Sequence, residues 1–347
     1  MAEEKTRDLQ EKDFVDPANV EAAGYRRRKR SRKTIGEEGS RKQTAIGLLV
    51  TIVLGLIFYM PTELKSWWQK FNTSEVITIE RPIGDEPDVS EIVGFKVEIK
   101  EKEDAEEVIK KIIGGLVGDY GVWVEKLRDE SGWGINEGVV FSAASVIKLP
   151  VLVAYYQAVD EGSLDPEEVY ILKEKDRLEY GSGSMQSQPG GKEYVYREVA
   201  RLVANQSDNM GEKIMIGWLG GEGKIDGLIR SWGLSQTSVK KNETTPGETG
   251  ELLKLVYEGE LIAKESREEL FKNLTETVLE DRIPAGVPTG VKVVHKFGSE
   301  EGIVNDCGIV YGDEVYGICV LTTGVNDGEA QEVLPKISRV VWEWAGK

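Results

Sequence analysis

Ser145 and Lys148 stand three positions apart in FSAASVIK. On a helix, residues i and i+3 share a face. A serine hydroxyl in the first turn would therefore meet an amine one turn later. The helix dipole there favours the negative charge that develops on an attacking oxygen. This is a pairing of nucleophile and base. A lysine base must be neutral part of the time, a state that burial and a second nearby cation both favour. The following stretch, VIKLPVLVAYYQAV at residues 146–159, is apolar almost all round, which places its helix inside the protein. The same spacing recurs in Ser238-Val-Lys-Lys241, where nothing nearby completes a site.

Two further short segments carry suitable groups. Ser207-Asp208-Asn209 follows the helical stretch YREVARLVANQ. Lys296-Phe297-Gly298 ends the strand-like VKVVH and contains the one Lys-x-Gly of the chain. His295, the one histidine, precedes Lys296 on that strand. Its side chain is expected on the opposite face, packed rather than catalytic. A Ser-His-Asp arrangement built on it is the rival reading.

In order and in element type, the three segments resemble the S-x-x-K, S-D-N and K-x-G boxes of the serine β-lactamase and penicillin-binding protein superfamily, in particular its class A β-lactamase-like group. GSGSMQ at 181–186, DRIPAGVPTGVKVVHKFG at 281–298 and NDCGIVYG at 305–312 add to the resemblance, which covers roughly residues 103–347. The resemblance implies an acyl-enzyme mechanism without cofactor or metal. In it, Ser145 is the nucleophile and Lys148 the base. Ser207 relays a proton to the leaving nitrogen. Asn209 holds a substrate carbonyl, and Lys296 binds the substrate carboxylate. Gly298 belongs to the third box, and the backbone N–H groups of Ser145 and Ser299 form the oxyanion hole. Asp208 is read as structural.

Two departures bear on activity. The third box has Phe297 where the family carries Thr or Ser, with Ser299 placed to compensate. The loop that carries the deacylating glutamate of class A β-lactamases looks deleted from GLSQTSVKKNETTPGETGELL, where Glu243 is the one acid between residues 234 and 246. General-base assistance is worth about 10²–10⁴ in rate, so this loss would turn a hydrolase into a slowly released acyl-enzyme.

The elements that must position these groups are legible from periodicity. Ala105, Val108, Ile109, Ile112, Leu116 and Val117 predict a helix ended by Gly118. Tyr120, Val122 and Val124 predict a strand, with residues 133–139 as its hairpin partner. The runs VKVVHKFG, IVNDCGIVYG and EVYGICVLTTG predict three successive strands, the last two joined by a turn at 312–314. Ala330, Val333, Leu334, Ile337, Val340, Val341 and Trp344 predict a closing helix. The expected class is α+β: an antiparallel sheet of about five strands flanked by helices, with an all-helical subdomain. A turn at 312–314 sets Cys307 opposite Cys319, within disulfide reach; two buried thiols fit equally.

The body is one of four parts. At 347 residues and 40% hydrophobic content the chain can bury a large core. A net charge of −17 argues against nucleic-acid binding by phosphate neutralisation. Residues 1–43 read as a disordered basic tail with RRRKRSRK at 26–33. Residues 44–60, TAIGLLVTIVLGLIFYM, carry no charge and as a helix reach about 26 Å against a bilayer core of about 30 Å. They predict one transmembrane helix with the basic tail cytoplasmic. Residues 61–93, with Pro61, Pro82 and Pro87, read as a linker. Residues 94–347 form the domain, held outside the cell membrane. The expected activity is that of a membrane-anchored serine hydrolase acylated by β-lactams or by related peptidoglycan-like acyl-D-amino-acid substrates. A D,D-peptidase-like enzyme and a non-catalytic sensor of the same fold are the alternatives. No feature of the sequence specifies an oligomeric state.

Overall fold

A computed structural model describes residues 98–346. The basic tail at 1–43, the expected membrane span at 44–60 and the linker at 61–93 lie outside the described residues. Among the described residues, no helix is long and apolar enough to cross a membrane.

The domain starts with helix α1 (Lys102–Ile113), which buries Ala105, Val108 and Ile109 on one stripe. Strand β1 (Asp119–Lys126) turns back into β2 (Gly132–Ile135). β2 is shorter than the sequence suggested, because Asn136 takes a left-handed conformation (φ 51°) and its side chain donates to the Tyr120 carbonyl at 2.9 Å. The short β3 (Phe141–Ser142) leads through one 3₁₀ turn (Ala144–Ile147) into α2 (Lys148–Asp160). Every residue from Lys148 to Tyr156 of α2 is buried, as its all-round apolar surface requires. A helical lobe follows: the small ribbon β4 (Val169–Ile171) and β5 (Glu193–Val195), then α3 (Tyr196–Asn205), α4 (Asn209–Trp218) and α5 (Glu222–Ser231). β6 (Glu243–Thr244) pairs with β3 and precedes α6 (Pro246–Glu258) and α7 (Lys264–Asn273). The chain then returns to the sheet through β7 (Lys292–Glu300), β8 (Ile303–Tyr311) and β9 (Val315–Thr323), and ends in α8 (Asp327–Ala345).

The five-stranded sheet has the order β2-β1-β9-β8-β7 and is antiparallel throughout. Pairing of β1 with β9 brings the two ends of the domain together. Successive side chains of a strand point to opposite faces, and that alternation divides the core. Val122, Val124, Ile318 and Val320 pack with α1 and α8. Trp123, Ile309, Cys319 and Leu321 pack with the helical lobe. A sheet covered on both faces needs apolar residues on both, so β8 and β9 are buried along almost their whole length and are mostly apolar, with Asn305 and Asp306 the buried polar residues of β8. Cys307 and Cys319 are register partners and are joined by a disulfide. The α+β class, the five strands and the helical insertion thus agree with the sequence reading.

Candidate active site

The nucleophile segment crosses from sheet to helical lobe. Ser145 lies in the 3₁₀ turn rather than on α2 itself. In a 3₁₀ turn residues i and i+3 eclipse, so Lys148 stacks directly over Ser145. Its Nζ donates to Ser145 Oγ at 2.7 Å. Ala144 before the serine is held at φ 45°, a conformation that costs about 1–3 kcal/mol for a residue with a side chain. Asn305 on β8 holds it there, donating to the carbonyls of Ser142 at 2.9 Å and Ala143 at 3.2 Å. Lys148 is 2% exposed and meets two further acceptors, Asn209 Oδ1 at 2.8 Å and Glu212 Oε2 at 3.2 Å.

The second segment spans the junction of α3 and α4. Asp208 is fully buried. One carboxylate oxygen accepts from Gly211 N at 2.9 Å, capping α4, and the other from Met185 N at 2.8 Å. This carboxylate is structural, as expected: it fixes the first turn of the helix that carries Asn209 and Glu212. Gly183 is needed beside it, since a Cβ there would lie 2.1 Å from Asp208 Oδ2. Ser207 adopts φ 57°, and its buried hydroxyl has no hydrogen-bond partner among the described residues. Ser182 Oγ lies 2.6 Å from the Ser207 carbonyl and 3.2 Å from Asn209 Oδ1, tying the GSGSMQ loop to this junction.

The third segment is the end of the edge strand β7. Lys296 is fully buried. Its Nζ donates to the Phe297 carbonyl at 2.9 Å and sits 4.1 Å from the Phe297 ring centroid. Burial, and then the charge of Lys148, hold its amine well below the usual lysine range. Phe297 thus takes up the Lys296 amine that a polar third box would leave to a substrate. Gly298 packs against the nucleophile backbone: a Cβ there would stand 2.8 Å from Ser145 N. Ser299 is exposed, and its Oγ accepts from Arg282 at 2.5 Å, which leaves its own hydrogen free to donate. Arg282, itself buried, also donates to the carbonyls of Gly298 at 2.8 Å and Asn305 at 2.6 Å.

Lys148 therefore contacts both Ser145 and Asn209, and Gly298 abuts Ser145. Glu212, Arg282, Asn305 and Ser182 were not singled out by sequence. Glu212 had a readable signal, since it lies three residues after Asn209 on the same helix face. The other three depend on contacts between distant segments. Glu243 does not reach the Ser145–Lys148 pair: its carboxylate meets Lys241 at 3.6 Å, on the surface. Glu248 is also committed elsewhere, accepting from Ser235 N at 2.7 Å and Thr237 Oγ1 at 2.7 Å.

His295 lies on the sheet face opposite Lys296, fully buried. Its Nδ1 meets Asp306 at 2.8 Å, and its Nε2 meets Glu280 at 3.1 Å and Thr277 at 3.2 Å. A triad with Ser145 is thereby excluded. Burial alone pushes this imidazole down, but the charges and hydrogen bonds of Asp306 and Glu280 prevail and hold it at about 9. A pKa raised on folding stabilises the native state below the unfolded value, near 6.5, and that contribution is lost as pH rises through the folded value. In a plot of urea-unfolding stability against pH, His295 should therefore contribute a fall of about 3 kcal/mol between pH 6.5 and 9, against the opposite contribution of the depressed Lys296 amine. His295→Gln should flatten that segment of the curve; an unchanged slope would remove His295 as its source.

A five-stranded antiparallel sheet with a helical lobe, and a serine–lysine pair at their junction, define a serine hydrolase of β-lactamase type. The chain belongs to the Beta-lactamase enzyme family, whose model (Beta-lactamase2) matches residues 104–345. It is similar to two β-lactamases of Pseudomonas aeruginosa. VEB-1 is 22% identical over 264 residues, 68% of this chain and 88% of that one. The extended-spectrum enzyme PER-1 is 25% identical over 227 residues, 59% and 74% of the respective chains. Among solved structures, PBP-A superposes with a TM-score of 0.67 at 26% identity, covering 71% of this chain and 98% of that one. A PBP-A variant, solved as an acyl-enzyme complex with penicillin G, gives a TM-score of 0.66 at 26% identity, over 72% and 98%.

Proposed function

We propose that this protein is a membrane-anchored serine hydrolase that is acylated at Ser145 by β-lactams and by acyl-D-amino-acid peptides of the cell-wall type. The observation that carries the reading is the contact of Lys148 Nζ with Ser145 Oγ at 2.7 Å, at a buried amine, beside the backbone of Gly298. Lys148 takes the hydroxyl proton as Ser145 attacks the substrate carbonyl. The N–H groups of Ser145 and Ser299 receive the oxyanion, a type of interaction worth about 3–4 kcal/mol per donor. Ser207, with its unpaired buried hydroxyl, passes a proton to the leaving nitrogen. Asn209 binds a substrate carbonyl. A substrate carboxylate draws the Lys296 amine off the Phe297 carbonyl and ring and favours its charged form, and Ser299 supplies the hydroxyl that Phe297 lacks.

Between the two activities, the short connection from residue 234 to β6 favours a D,D-peptidase-like enzyme over an efficient β-lactamase. Its one carboxylate, Glu243, is engaged with Lys241 on the surface. The acyl-enzyme trapped on a PBP-A variant is chemistry of the same kind in a protein of similar fold. Anchoring rests on the uncharged run 44–60 behind a basic cluster. The disulfide between Cys307 and Cys319 suits an extracytoplasmic domain.

One experiment addresses both parts. Membrane and soluble fractions of cells expressing the full chain are incubated with a fluorescent penicillin and resolved on a denaturing gel. A single labelled band of the full-length chain is expected in the membrane fraction. A band in the soluble fraction would refute the anchor, and no band in either would refute acylation.

A further inference from the structure

Lys148 is a buried amine with three partners. As an ammonium group it has three hydrogens, and the structure supplies three acceptors: Ser145 Oγ at 2.7 Å, Asn209 Oδ1 at 2.8 Å and Glu212 Oε2 at 3.2 Å. In that state Lys148 donates to the hydroxyl from which it must take a proton. One hydrogen has to leave before it can act as a base. Solvent reaches it poorly, since Lys148 is 2% exposed. Ser145 needs to keep its proton until attack, and the Asn209 amide oxygen is a very poor base. Glu212 is the remaining partner. Among the described residues it is the one carboxylate in contact with the Ser145–Lys148 pair. At 18% side-chain exposure it keeps an edge in water.

We propose that Glu212 accepts the third proton of Lys148 and so makes it the base for acylation of Ser145, a role that rests on the acyl-enzyme reading above. The residue enters from α4, not from the connection between α5 and α6 where the sequence resemblance places a catalytic glutamate. Its place is set by the buried Asp208 cap, and the Glu212 N–H itself donates to the Asp208 carbonyl at 3.0 Å. The protons balance. First, an N–H bond of Lys148 breaks and an O–H bond forms on Glu212, with no change in net charge. The Ser145 proton then moves to Lys148 as Oγ bonds to the substrate carbonyl carbon. The carbon–nitrogen bond breaks, and the nitrogen takes a proton from Lys148 through Ser207. In hydrolysis, water adds to the acyl carbon and gives its proton to Lys148. Lys148 returns one to Ser145 Oγ as the ester bond breaks. Glu212 finally hands its proton back.

The other charges around the pair are accounted for. Lys296 on β7 feels the charges of Lys148, Asp306, Glu212 and Arg282, and on α4 itself Lys213 donates to the carbonyls of Lys175 and Asp176. Of the elements packed on α4, α3 carries Glu198 and Arg201, which pair with each other at 2.7 Å, and Arg197, which pairs with Glu167 and Glu269. In the 174–176 turn, Glu174 pairs with Arg177, Asp176 accepts from Tyr170 and Lys173 N, and Lys175 is exposed. At the far end of α2, Asp160 accepts from Ala263 N and Ser266.

The test is the rate of labelling by a fluorescent penicillin as a function of pH, in the full chain and in Glu212→Gln and Glu212→Asp. In the parent, labelling rises with pH along an acidic limb. In Glu212→Gln, with no carboxylate to take the Lys148 proton, that limb is displaced. It moves to higher pH by about one unit or more, lowering the rate near pH 5 about tenfold or more and sparing the alkaline plateau. Glu212→Asp restores the acidic limb. Labelling of Glu212→Gln at the plateau shows that the variant is folded. A parent-like limb in Glu212→Gln, or an equal loss at every pH, overturns the role of Glu212 while leaving acylation intact. A parent chain that takes no label at any pH overturns the acyl-enzyme reading, and the Glu212 proposal with it.

Discussion

Ser145→Ala removes covalent labelling by a penicillin altogether, whereas Ser238→Ala leaves it at the parental rate. Both serines begin an S-x-x-K sequence, so the pair separates motif from site. Ser145 is stacked under a buried lysine and backed by Gly298. Ser238 donates instead to Asp226 Oδ2 at 2.9 Å, and its Lys241 points out to Glu243 on the surface. Loss of a serine nucleophile from a preorganised hydrolase site lowers turnover by about 10⁶, far more than any change of positioning would. The labelling gel described above reads this directly. Equal labelling of Ser145→Ala and the parent would move the nucleophile elsewhere.

The second large effect concerns release. With a chromogenic cephalosporin in rapid-quench kinetics, we expect a burst of one equivalent followed by turnover about 10²-fold or more slower. The factor is that of missing general-base assistance. Attack and release ask different things of the site. In attack, Ser145, the proposed nucleophile, is already held against Lys148. In release, a water must approach the acyl carbonyl with a base beside it, and no carboxylate of the segment 235–248 is free to serve. Glu243 is engaged with Lys241, and Glu248 with residues 235–237. Lys148 can serve twice only if the leaving group has moved away. A peptide amine diffuses off, but a β-lactam nitrogen stays tethered to the acyl group. A D-alanyl peptide or thioester should therefore turn over faster than the cephalosporin. Glu243→Gln should change neither phase. Steady turnover near 10 s⁻¹, a middling value for enzymes, that collapses in Glu243→Gln would show that the short connection still delivers a base.

Much of this was legible before any coordinates, for identifiable reasons. The link between Ser145 and Lys148 is local: three residues in one turn bring them together whatever the rest of the chain does, and a 3₁₀ turn does so as well as an α-helix. The sheet was legible because a strand's side chains alternate. The sum of register positions around the turn at 312–314 then sets Cys307 against Cys319, and the structure joins them. The packed role of His295 followed from the same alternation, since a neighbour of Lys296 on a strand must face away from it.

The sequence by itself therefore determined the boxes, their order, the elements that bear them and the opposition of the two cysteines, because each of these depends on spacing within one element or across one turn. Tertiary structure alone decided what surrounds the nucleophile. Asn305 on β8 holds the carbonyls ahead of Ser145 across more than 160 positions of chain, and Arg282 ties β7 to β8 behind it. The Lys296 amine turns back to its own strand and the Phe297 ring, a choice between rotamers that burial makes. Glu212 meets Lys148 because the Asp208 cap sets the start of α4 against α2. No pattern along the chain encodes these contacts, since they are distances between elements, and packing sets them only when the two halves of the core close on each other.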